Sequence, residues 1–341
     1  MPTIKSVAKL AGVSVSTVSR VLNSSGYVSA KTRKLVMDAV AKLDFRPNHV
    51  ARSLVHRESK TLGLIVPDIA NPYFPALARS VEDAASAAGY VVILCNSGNM
   101  EESETRYLSW LRQRMVDGVL LASTNQVTPE RLGQDWPVVL LDRDLEGLNV
   151  DSVRVNNFLG AQEAVLHLVA LGHRKIAHLA GPENVTTAKE RVAGFRAALA
   201  LAGINPDDQQ VIHGPFSYEF GQAGMAQLLS AGEVPTAVFC ANDMIALGAL
   251  KTCRERGVNV PLEVSICGFD DIFLAEHTDP PLTTVRQPIY EMGQAAVQML
   301  LSRIKERSQK TPSGKPAPYR GETILLEPQL VIRSTCSRPA N

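Results

Sequence analysis

The chain has 341 residues, of which 45% are hydrophobic and 20% are charged. This composition excludes a disordered chain, a collagen and a small disulfide scaffold, and the length favours two or three domains. The start of the chain lacks the apolar stretch of a signal peptide, and no run of about 18 uncharged apolar residues indicates a membrane span. We therefore expect a cytoplasmic protein with no membrane partner.

The cysteines and histidines do not form a ligand pattern. The five cysteines are an odd number without a CxxC pair, and most stand in apolar runs, as reduced cysteines packed like small hydrophobic residues do. None of the seven histidines forms HExxH or stands at ligand spacing from a cysteine, so no metal site is expected.

Charge is segregated along the chain. Residues 1–60 contain eleven Lys and Arg against three acids, whereas the remainder contains 24 against 31. This asymmetry suggests a basic module for a polyanion attached to a mildly acidic body. A solvated basic face would give the same counts of charged residues, so the local sequence pattern has to distinguish these two alternatives.

The first 45 residues have the pattern of a helix-turn-helix. A helix is predicted over 4–11, followed by a turn at Gly12, which can adopt a positive φ. A second helix is predicted from Val15 to Asn23 after an N-cap at Ser14, and a third follows Ser29. The residues predicted to face inward are Val7, Leu10, Ala11, Val18, Val21, Leu22, Leu35, Ala39, Val40 and Leu43.

The second helix of such a unit enters the major groove by its N-terminus. Val15, Ser16 and Arg20 would then meet base edges, because Arg bonds guanine O6 and N7, Ser donates or accepts, and Val touches a thymine methyl. Thr17 and Ser19, close to the helix N-terminus, suit phosphates.

A further short helix is possible from Asn48 to Arg57. About three turns are too few to be stable alone, so this segment is either a disordered linker or a hinge that folds on DNA. In the second case Leu54 and Val55, beside basic residues, would provide an apolar wedge for the minor groove.

From Thr61 onward, apolar runs alternate with amphipathic stretches, which predicts an α/β fold of two lobes with parallel sheets covered on both faces. Strands are predicted over 62–66, 91–95, 118–122, 138–141, 175–180, 210–213, 237–241, 264–268 and 282–286. Helices are predicted over 73–88, 103–115, 159–171, 189–202, 220–229, 244–256 and 290–307, before a last strand pair over 322–331.

Polar and aromatic residues follow successive predicted strands, where ligands of open α/β sheets bind. They are Asp68, Asn71, Tyr73, Phe74, Asp142, Arg143, Phe216, Asn242, Asp243, Phe269, Asp270 and Gln287, with Arg191 near the start of its helix. Carboxylates, amides, guanidinium groups and flat rings are the mixture that a sugar requires. Taken singly, each of these residues has a structural explanation. Asp142 and Asn242 are typical helix caps, Arg143 and Arg191 are typical surface ion-pair partners, and Phe216 is typical of a core. Together they favour a pocket.

Three runs resemble the DNA-binding head of the lactose and galactose repressor family of bacterial regulators. They are Val13–Asn23, Val28–Arg33 and Pro47–Leu54. The resemblance implies a three-helix headpiece with a hinge helix, in a homodimer on near-palindromic double-stranded operator DNA. It also implies hinge contacts from Ala51, Leu54 and Val55, with Leu54 as the intercalating wedge. Gly26 stands where some relatives have a basic residue that contacts DNA.

The rest of the chain resembles the same family and, through it, periplasmic ribose-binding proteins. The matching segments are Asn71–Phe74, Asp142–Arg143, Glu190–Phe195, Phe216, Asn242–Asp243, Gly268–Asp271 and Arg286–Pro288. The resemblance implies that sugar hydroxyls are bonded by Asn71, Asp142, Arg143, Arg191, Asn242, Asp270 and Gln287. It implies stacking on the sugar ring by Tyr73, Phe74 and Phe216. Phe is usual in the sugar binders at the position of Tyr73.

The expected division follows from these elements. Residues 1–46 are the helix-turn-helix headpiece and 47–60 are the hinge helix and linker. Residues 61–160 with 289–320 form the N-terminal lobe, and 161–288 with 321–341 form the C-terminal lobe. The core is expected to be like a periplasmic binding protein, with doubly wound parallel sheets.

An enzyme is disfavoured because the chain contains no GxGxxG, GxxxxGK[ST] or GxSxG, and no catalytic residue or cofactor is expected. A free periplasmic sugar binder would leave the headpiece unexplained. The prediction is a dimeric repressor of a sugar operon, most like ribose operon repressors, that D-ribose releases from its operator. Purine- or nucleoside-responsive repressors, phosphosugar-responsive repressors and global catabolite regulators of this family stay open.

Overall fold

The computed structural model describes residues 2–22, 25–45, 58–122, 132, 136–143, 149–308 and 321–340. The chain divides into two compact units, Met1–Ser59 and Lys60–Asn341. Each unit has hydrophobic clusters of its own.

The first unit is a helix-turn-helix followed by a third helix. Its helices are α1 (Ile4–Ala11), α2 (Val15–Leu22) and α3 (Ala30–Lys42). The Thr3 side chain caps α1 in a capping box with Ser6, and Gly12 ends it at φ 65°, a left-handed conformation that a glycine adopts without strain. The Ser14 hydroxyl accepts from the N–H of Thr17 at 3.1 Å, as expected for a residue that begins α2.

Two residues of the predicted headpiece core point outward instead. Leu10 and Leu35 are each 47% exposed, whereas Val36 is fully buried. Val36 with Ala39, Val40 and Leu43 keeps the i, i+3, i+4, i+7 spacing of one helix face, so Leu35 was the wrong starting point of that face in α3. Ala8 takes a buried place beside Val7.

The second unit contains a parallel six-stranded sheet. Its strands are β1 (Thr61–Val66), β2 (Val91–Asn96), β3 (Gly118–Leu121), β4 (Val138–Leu141), β5 (Asp151–Val155) and β11 (Thr323–Leu326). Their order across the sheet is β11-β5-β4-β3-β1-β2. Helices α4 (Tyr73–Ala87) and α10 (Ile289–Ser308) cover one face, and α5 (Glu101–Gln113) covers the other. Both faces are therefore apolar, which explains the continuous hydrophobic runs of the central strands.

The second sheet is parallel, with four strands in the order β7-β6-β8-β9. They are β6 (Ile176–Ala180), β7 (Val211–His213), β8 (Ala237–Cys240) and β9 (Ser265–Cys267). Helices α6 (Asn157–Ala170) and α7 (Thr186–Leu201) pack on one face, and α8 (Tyr218–Leu229) and α9 (Asp243–Glu255) on the other. An antiparallel pair, β10 (Thr284–Arg286) and β12 (Gln329–Val331), adjoins β9 through single bridges.

The lobes differ from the expected division in one place. Strand β11 pairs with β5 in the first sheet, so the assignment of 321–341 wholly to the C-terminal lobe is wrong for this strand. The last two strands accordingly belong to different sheets, because the chain crosses between the lobes a third time near Pro328. Strand β5 was not predicted.

A histidine is enclosed in the second lobe. His178 on β6 is fully buried between the rings of Phe195 and Phe239, and its Nδ1 lies 2.9 Å from the carbonyl oxygen of Phe239. Burial lowers the pKa of His178 to about 3. The ring is therefore neutral in the folded protein at all pH values above about 3.

This histidine is expected to destabilise the protein in acid. Below the ordinary histidine pKa of about 6.5 the unfolded chain takes up a proton that the folded chain cannot, so stability falls by about 1.4 kcal/mol per pH unit between about 6.5 and 3. The variant His178→Phe keeps an aromatic ring at the site. When the pH is lowered from about 7.5 to about 4.5, we expect its free energy of unfolding to fall by less than that of the original chain. Urea unfolding followed by circular dichroism measures this difference, and equal losses would refute the assignment.

Within the part of the chain that the structure describes, no helix is long and apolar enough to cross a membrane.

Candidate functional site

A cavity of about 330 Å³ lies in the second unit at the carboxyl ends of the strands of both sheets. All ten residues predicted to bind the effector line it: Asn71, Tyr73, Phe74, Asp142, Arg143, Arg191, Phe216, Asn242, Asp270 and Gln287. Asp68, which follows β1, lines it as well. The structure thus gathers the predicted set around one space, and its role in binding stays a prediction.

The first lobe contributes an acid, a guanidinium group and a phenol. Asp142 and Arg143 follow β4 and are 6% and 5% exposed, with Arg143 Nε 3.9 Å from Asp142 Oδ2. The Tyr73 hydroxyl, at the start of α4, donates to Asp142 Oδ1 at 3.0 Å. Burial and the neighbouring Asp142 raise the pKa of Tyr73, so the phenol stays neutral and keeps its proton to donate.

The second lobe contributes a guanidinium group held from several sides. Arg191 Nε donates to Asn157 Oδ1 at 2.9 Å, and Nη1 donates to the carbonyl oxygen of Ala241. Nη1 also lies 3.7 Å from Asp270 Oδ1, and the guanidinium stacks 3.8 Å from the centre of the Phe269 ring. These contacts fix the plane of the guanidinium, as bidentate recognition of a ligand requires.

A row of close polar contacts joins the two lobes across the cavity. Gln287, at the crossover between β10 and α10, donates from Nε2 to Asp270 Oδ1 at 2.7 Å. Its Oε1 lies 3.4 Å from the Tyr73 hydroxyl, which also contacts Asp142. The row therefore runs from an acid of the first lobe to an acid of the second. The single hydroxyl proton of Tyr73 serves either Asp142 Oδ1 or Gln287 Oε1.

Two of the cavity carboxylates stand on unusual backbone. Asp142 has φ 63° and Asp270 has φ 119°, in the half of conformational space that side-chain-bearing residues rarely adopt. Such conformations cost about 1–3 kcal/mol each and concentrate at binding sites, where the surrounding fold maintains them. The fold therefore holds these two carboxylates at one cavity in a strained backbone conformation.

Burial also sets the ionisation of Asp270, which is 4% exposed. Loss of hydration raises the pKa of Asp270 to about 7, although Arg191 and the Gln287 amide oppose the shift. Near neutral pH this acid is therefore only partly ionised.

The aromatic side chains enclose the cavity. Tyr73 and Phe74 are buried and meet edge to face with ring centres 5.0 Å apart. Phe216, between β7 and α8, lies so close to Gly181 that a Cβ at that glycine would overlap the ring. Flat rings at these places suit the C–H face of a sugar or the plane of a base.

Several predicted residues also perform the structural role that the sequence allowed. Asn242 Oδ1 caps α9 by accepting from the N–H of Ile245 at 2.9 Å, and Asn71 Oδ1 accepts from the N–H of Tyr73 at 3.1 Å. Asp243 turns away from the cavity and accepts from the N–H of Ile272. The neighbour of Asp270, Asp271, pairs instead with Arg286 and Arg333, each at 2.7 Å.

Seven lining residues were not predicted. They are Asn99, Pro182, Asn184, Val185, Thr187, Pro215 and Ser217. All follow strand ends, after β2, β6 or β7, so the rule that found the others applies to them too. Most were missed because small polar residues and prolines are also the ordinary residues of such turns, whereas Val185 has no polar group that would indicate a site.

The headpiece presents the predicted DNA-reading residues on one helix. Val15, Ser16 and Arg20 of α2 are exposed, whereas Val18 and Val21 are buried in the headpiece core. Thr17 and Ser19 are partly exposed. The side chains at 15, 16 and 20 are thus available to a groove. The predicted hinge, with Ala51, Leu54 and Val55, lies outside the described residues.

These features define a class: a DNA-binding headpiece joined to a two-lobed, ligand-binding core of the periplasmic type. Residues 3–48 match the family described as bacterial regulatory proteins, lacI family, and residues 59–323 match periplasmic binding proteins and sugar binding domain of LacI family. The chain belongs to the LacI family of transcriptional repressors.

Relatives that are similar along nearly the whole chain are named as repressors. The chain is 39% identical to the ribose operon repressor of Halalkalibacterium halodurans, over 98% of this chain and 97% of that protein. It is 37% identical to the HTH-type transcriptional repressor PurR of Pasteurella multocida, over 98% of each. Both relatives are named as repressors, not as enzymes.

Solved structures agree with this assignment. The lac repressor dimer bound to operator and the anti-inducer ONPF matches 98% of this chain and 99% of its own, with 31% identity and a TM-score of 0.85. A LacI family regulator from Enterococcus faecium with bound ribose matches 82% of this chain and 99% of its own, with 34% identity and a TM-score of 0.71.

Proposed function

We propose that this repressor controls a sugar utilisation operon and that D-ribose, bound in the cavity between the lobes, releases it from its operator. The observation that carries the proposal is the cavity itself, in which carboxylates, amides and guanidinium groups from both lobes converge beside three aromatic rings. The ribose operon repressor and the ribose-bound structure among the relatives support this choice of sugar.

The charges of the cavity favour an uncharged ligand. Arg143 stands beside Asp142 and Arg191 beside Asp270, so each cation already faces a carboxylate. A phosphorylated sugar would bring about two further negative charges next to these acids. A polyol instead donates its hydroxyls to the carboxylates and accepts from the guanidinium groups.

A purine-responsive repressor is the alternative that an observation favours, since a PurR protein is among the relatives and aromatic rings also stack on bases. Isothermal titration calorimetry with D-ribose, ribose 5-phosphate, adenosine and hypoxanthine separates these readings. We expect heat of binding with D-ribose and none with the other three ligands. Heat with hypoxanthine or ribose 5-phosphate in place of ribose would overturn the effector while keeping the regulator.

The DNA-bound form is proposed to be a homodimer in the cytoplasm on a near-palindromic operator, with α2 of each copy in the major groove. Val91 and Leu94 of the edge strand β2 are 66% and 46% exposed, and apolar residues on a sheet edge are typical of a surface that a partner covers. Ala51, Leu54 and Val55 are proposed to contact the minor groove.

Release by the sugar requires that it bind the lobe arrangements of the free and DNA-bound protein with different affinity. A coupling of about 1–3 kcal/mol between the two ligands is typical. Residues from both lobes line the cavity, so a change in the lobe arrangement changes the contacts that a bound sugar makes.

A further inference from the structure

Asn157 lies at the first crossover between the lobes. It follows the end of β5 in the first sheet and begins α6, which packs on the second sheet, and it is 1% exposed. Its Nδ2 donates to the carbonyl oxygen of Val155, the last residue of β5, at 3.1 Å. Its Oδ1 accepts from Arg191 Nε at 2.9 Å. One amide therefore contacts the first lobe with its donor and the cavity arginine of the second lobe with its acceptor.

A second contact runs in parallel. Glu190 precedes Arg191 on α7, and its Oε2 accepts from Asn157 Nδ2 at 3.0 Å. Its Oε1 lies 3.6 Å from Nη1 of Arg154, which is on β5 in the first sheet. The start of α7 is thus tied to β5 both through Asn157 and through an ion pair.

Close packing keeps this arrangement rigid on the side of the second lobe. At Gly194 of α7 a Cβ would overlap the carbonyl oxygen of Phe158 in α6, so the two helices approach as nearly as their backbones allow. A change in the angle between the lobes is therefore expected to act on the contacts between Asn157 and β5 and not between α6 and α7.

We propose that Asn157 is a positioning residue that couples the orientation of Arg191 to the first lobe. This proposal rests on the proposed function in one respect, namely that Arg191 bonds the effector. Asn157 itself does not line the cavity. An amide is required because it both donates and accepts, whereas a carboxylate accepts only and an alkyl group does neither. The response of the operator to the effector then passes through this side chain.

A ligand-free measurement tests the contact directly. The Nε–H of Arg191 is buried and hydrogen-bonded, so its nitrogen-15 NMR signal is expected to exchange slowly with water. In Asn157→Ala we expect exchange to accelerate at least about tenfold, because the acceptor is lost. The neighbouring Asn156 is a matched control: its side chain caps α6 through the N–H of Leu159, and Asn156→Ala is expected to leave the Arg191 signal unchanged. Equal behaviour of the two variants would overturn the proposal.

The coupling is tested with Asn157→Asp, which has the same shape. This variant keeps the acceptor for Arg191 but loses both donor contacts, to Val155 and to Glu190. We expect it to retain slow exchange at Arg191 and effector affinity within about threefold, yet to lose most of the effector-induced fall in operator affinity. An unchanged operator response would contradict the proposal.

A double-mutant cycle separates action through Arg191 from general destabilisation. Asn157→Ala is expected to lower effector affinity about tenfold in the original chain and to have little effect beside Arg191→Lys. Additive losses would overturn the positioning role. If the original chain binds none of the four ligands tested above, the proposed function fails, while the ligand-free exchange measurement still decides whether Asn157 positions Arg191.

Discussion

Replacing Arg20 by Ala is expected to remove most of the preference of this repressor for its operator over other DNA. The side chain is exposed on α2, on the face opposite the buried Val18 and Val21. A bidentate contact of arginine with guanine contributes about 1–3 kcal/mol of discrimination, and a dimer makes it at two half-sites. Together these give about 2–6 kcal/mol, or roughly 30-fold to 10⁴-fold in specific affinity.

Fluorescence anisotropy with a selected near-palindromic site and with random DNA, each over a range of salt concentrations, measures this loss. Non-specific affinity should fall only slightly, because each copy loses only one positive charge that can contact a phosphate. Arg254→Ala, an exposed arginine of α9, controls for loss of charge elsewhere in the chain. Equal losses on both DNAs would show that Arg20 binds phosphate and does not read a base.

Effector affinity is expected to fall in mild acid, by about tenfold per pH unit below about pH 7. Burial raises the pKa of Asp270 to about 7, so the carboxylate proposed to accept ligand hydroxyls is lost as the pH drops through this value. If the ligand binds only the ionised form, each pH unit below the pKa of the empty site costs about 1.4 kcal/mol of binding free energy. Calorimetry between pH values of about 5.5 and 8 follows the decline.

Asp270→Asn is expected to bind more weakly at neutral pH and to show little of this pH dependence. Asp271→Asn is the matched control, since the neighbouring acid pairs with Arg286 and Arg333 and does not line the cavity. Affinity that stays constant down to about pH 5.5 in the original chain would contradict the role given to Asp270.

The site was predictable because of a property of parallel sheets. The carboxyl ends of parallel strands meet at one edge, so residues that follow different strands converge although the chain separates them. Asp142 and Asp270 are far apart in sequence and line the same cavity for this reason. Their positive φ angles and the partly ionised state of Asp270 depend on the surrounding fold, and no local pattern indicates them.

The differences between the predicted and the observed fold also have physical causes. Strand β5 was missed because Asp151 and Arg154 interrupt its apolar residues; in the structure the buried Asp151 pairs with Arg303 of α10 at 2.6 Å. The return of β11 to the first sheet depends on pairing with β5, so it could not be predicted without that strand. In α3, Leu35 and Val36 are neighbours in sequence, and only packing determines which of them is buried.

The most direct test of sugar-controlled repression is operator affinity with and without D-ribose, measured by fluorescence anisotropy on a near-palindromic site selected by this protein. A coupling of about 1–3 kcal/mol predicts that saturating ribose weakens operator binding about fivefold to 150-fold. Operator binding that ribose leaves unchanged, and that hypoxanthine strengthens, would contradict the account.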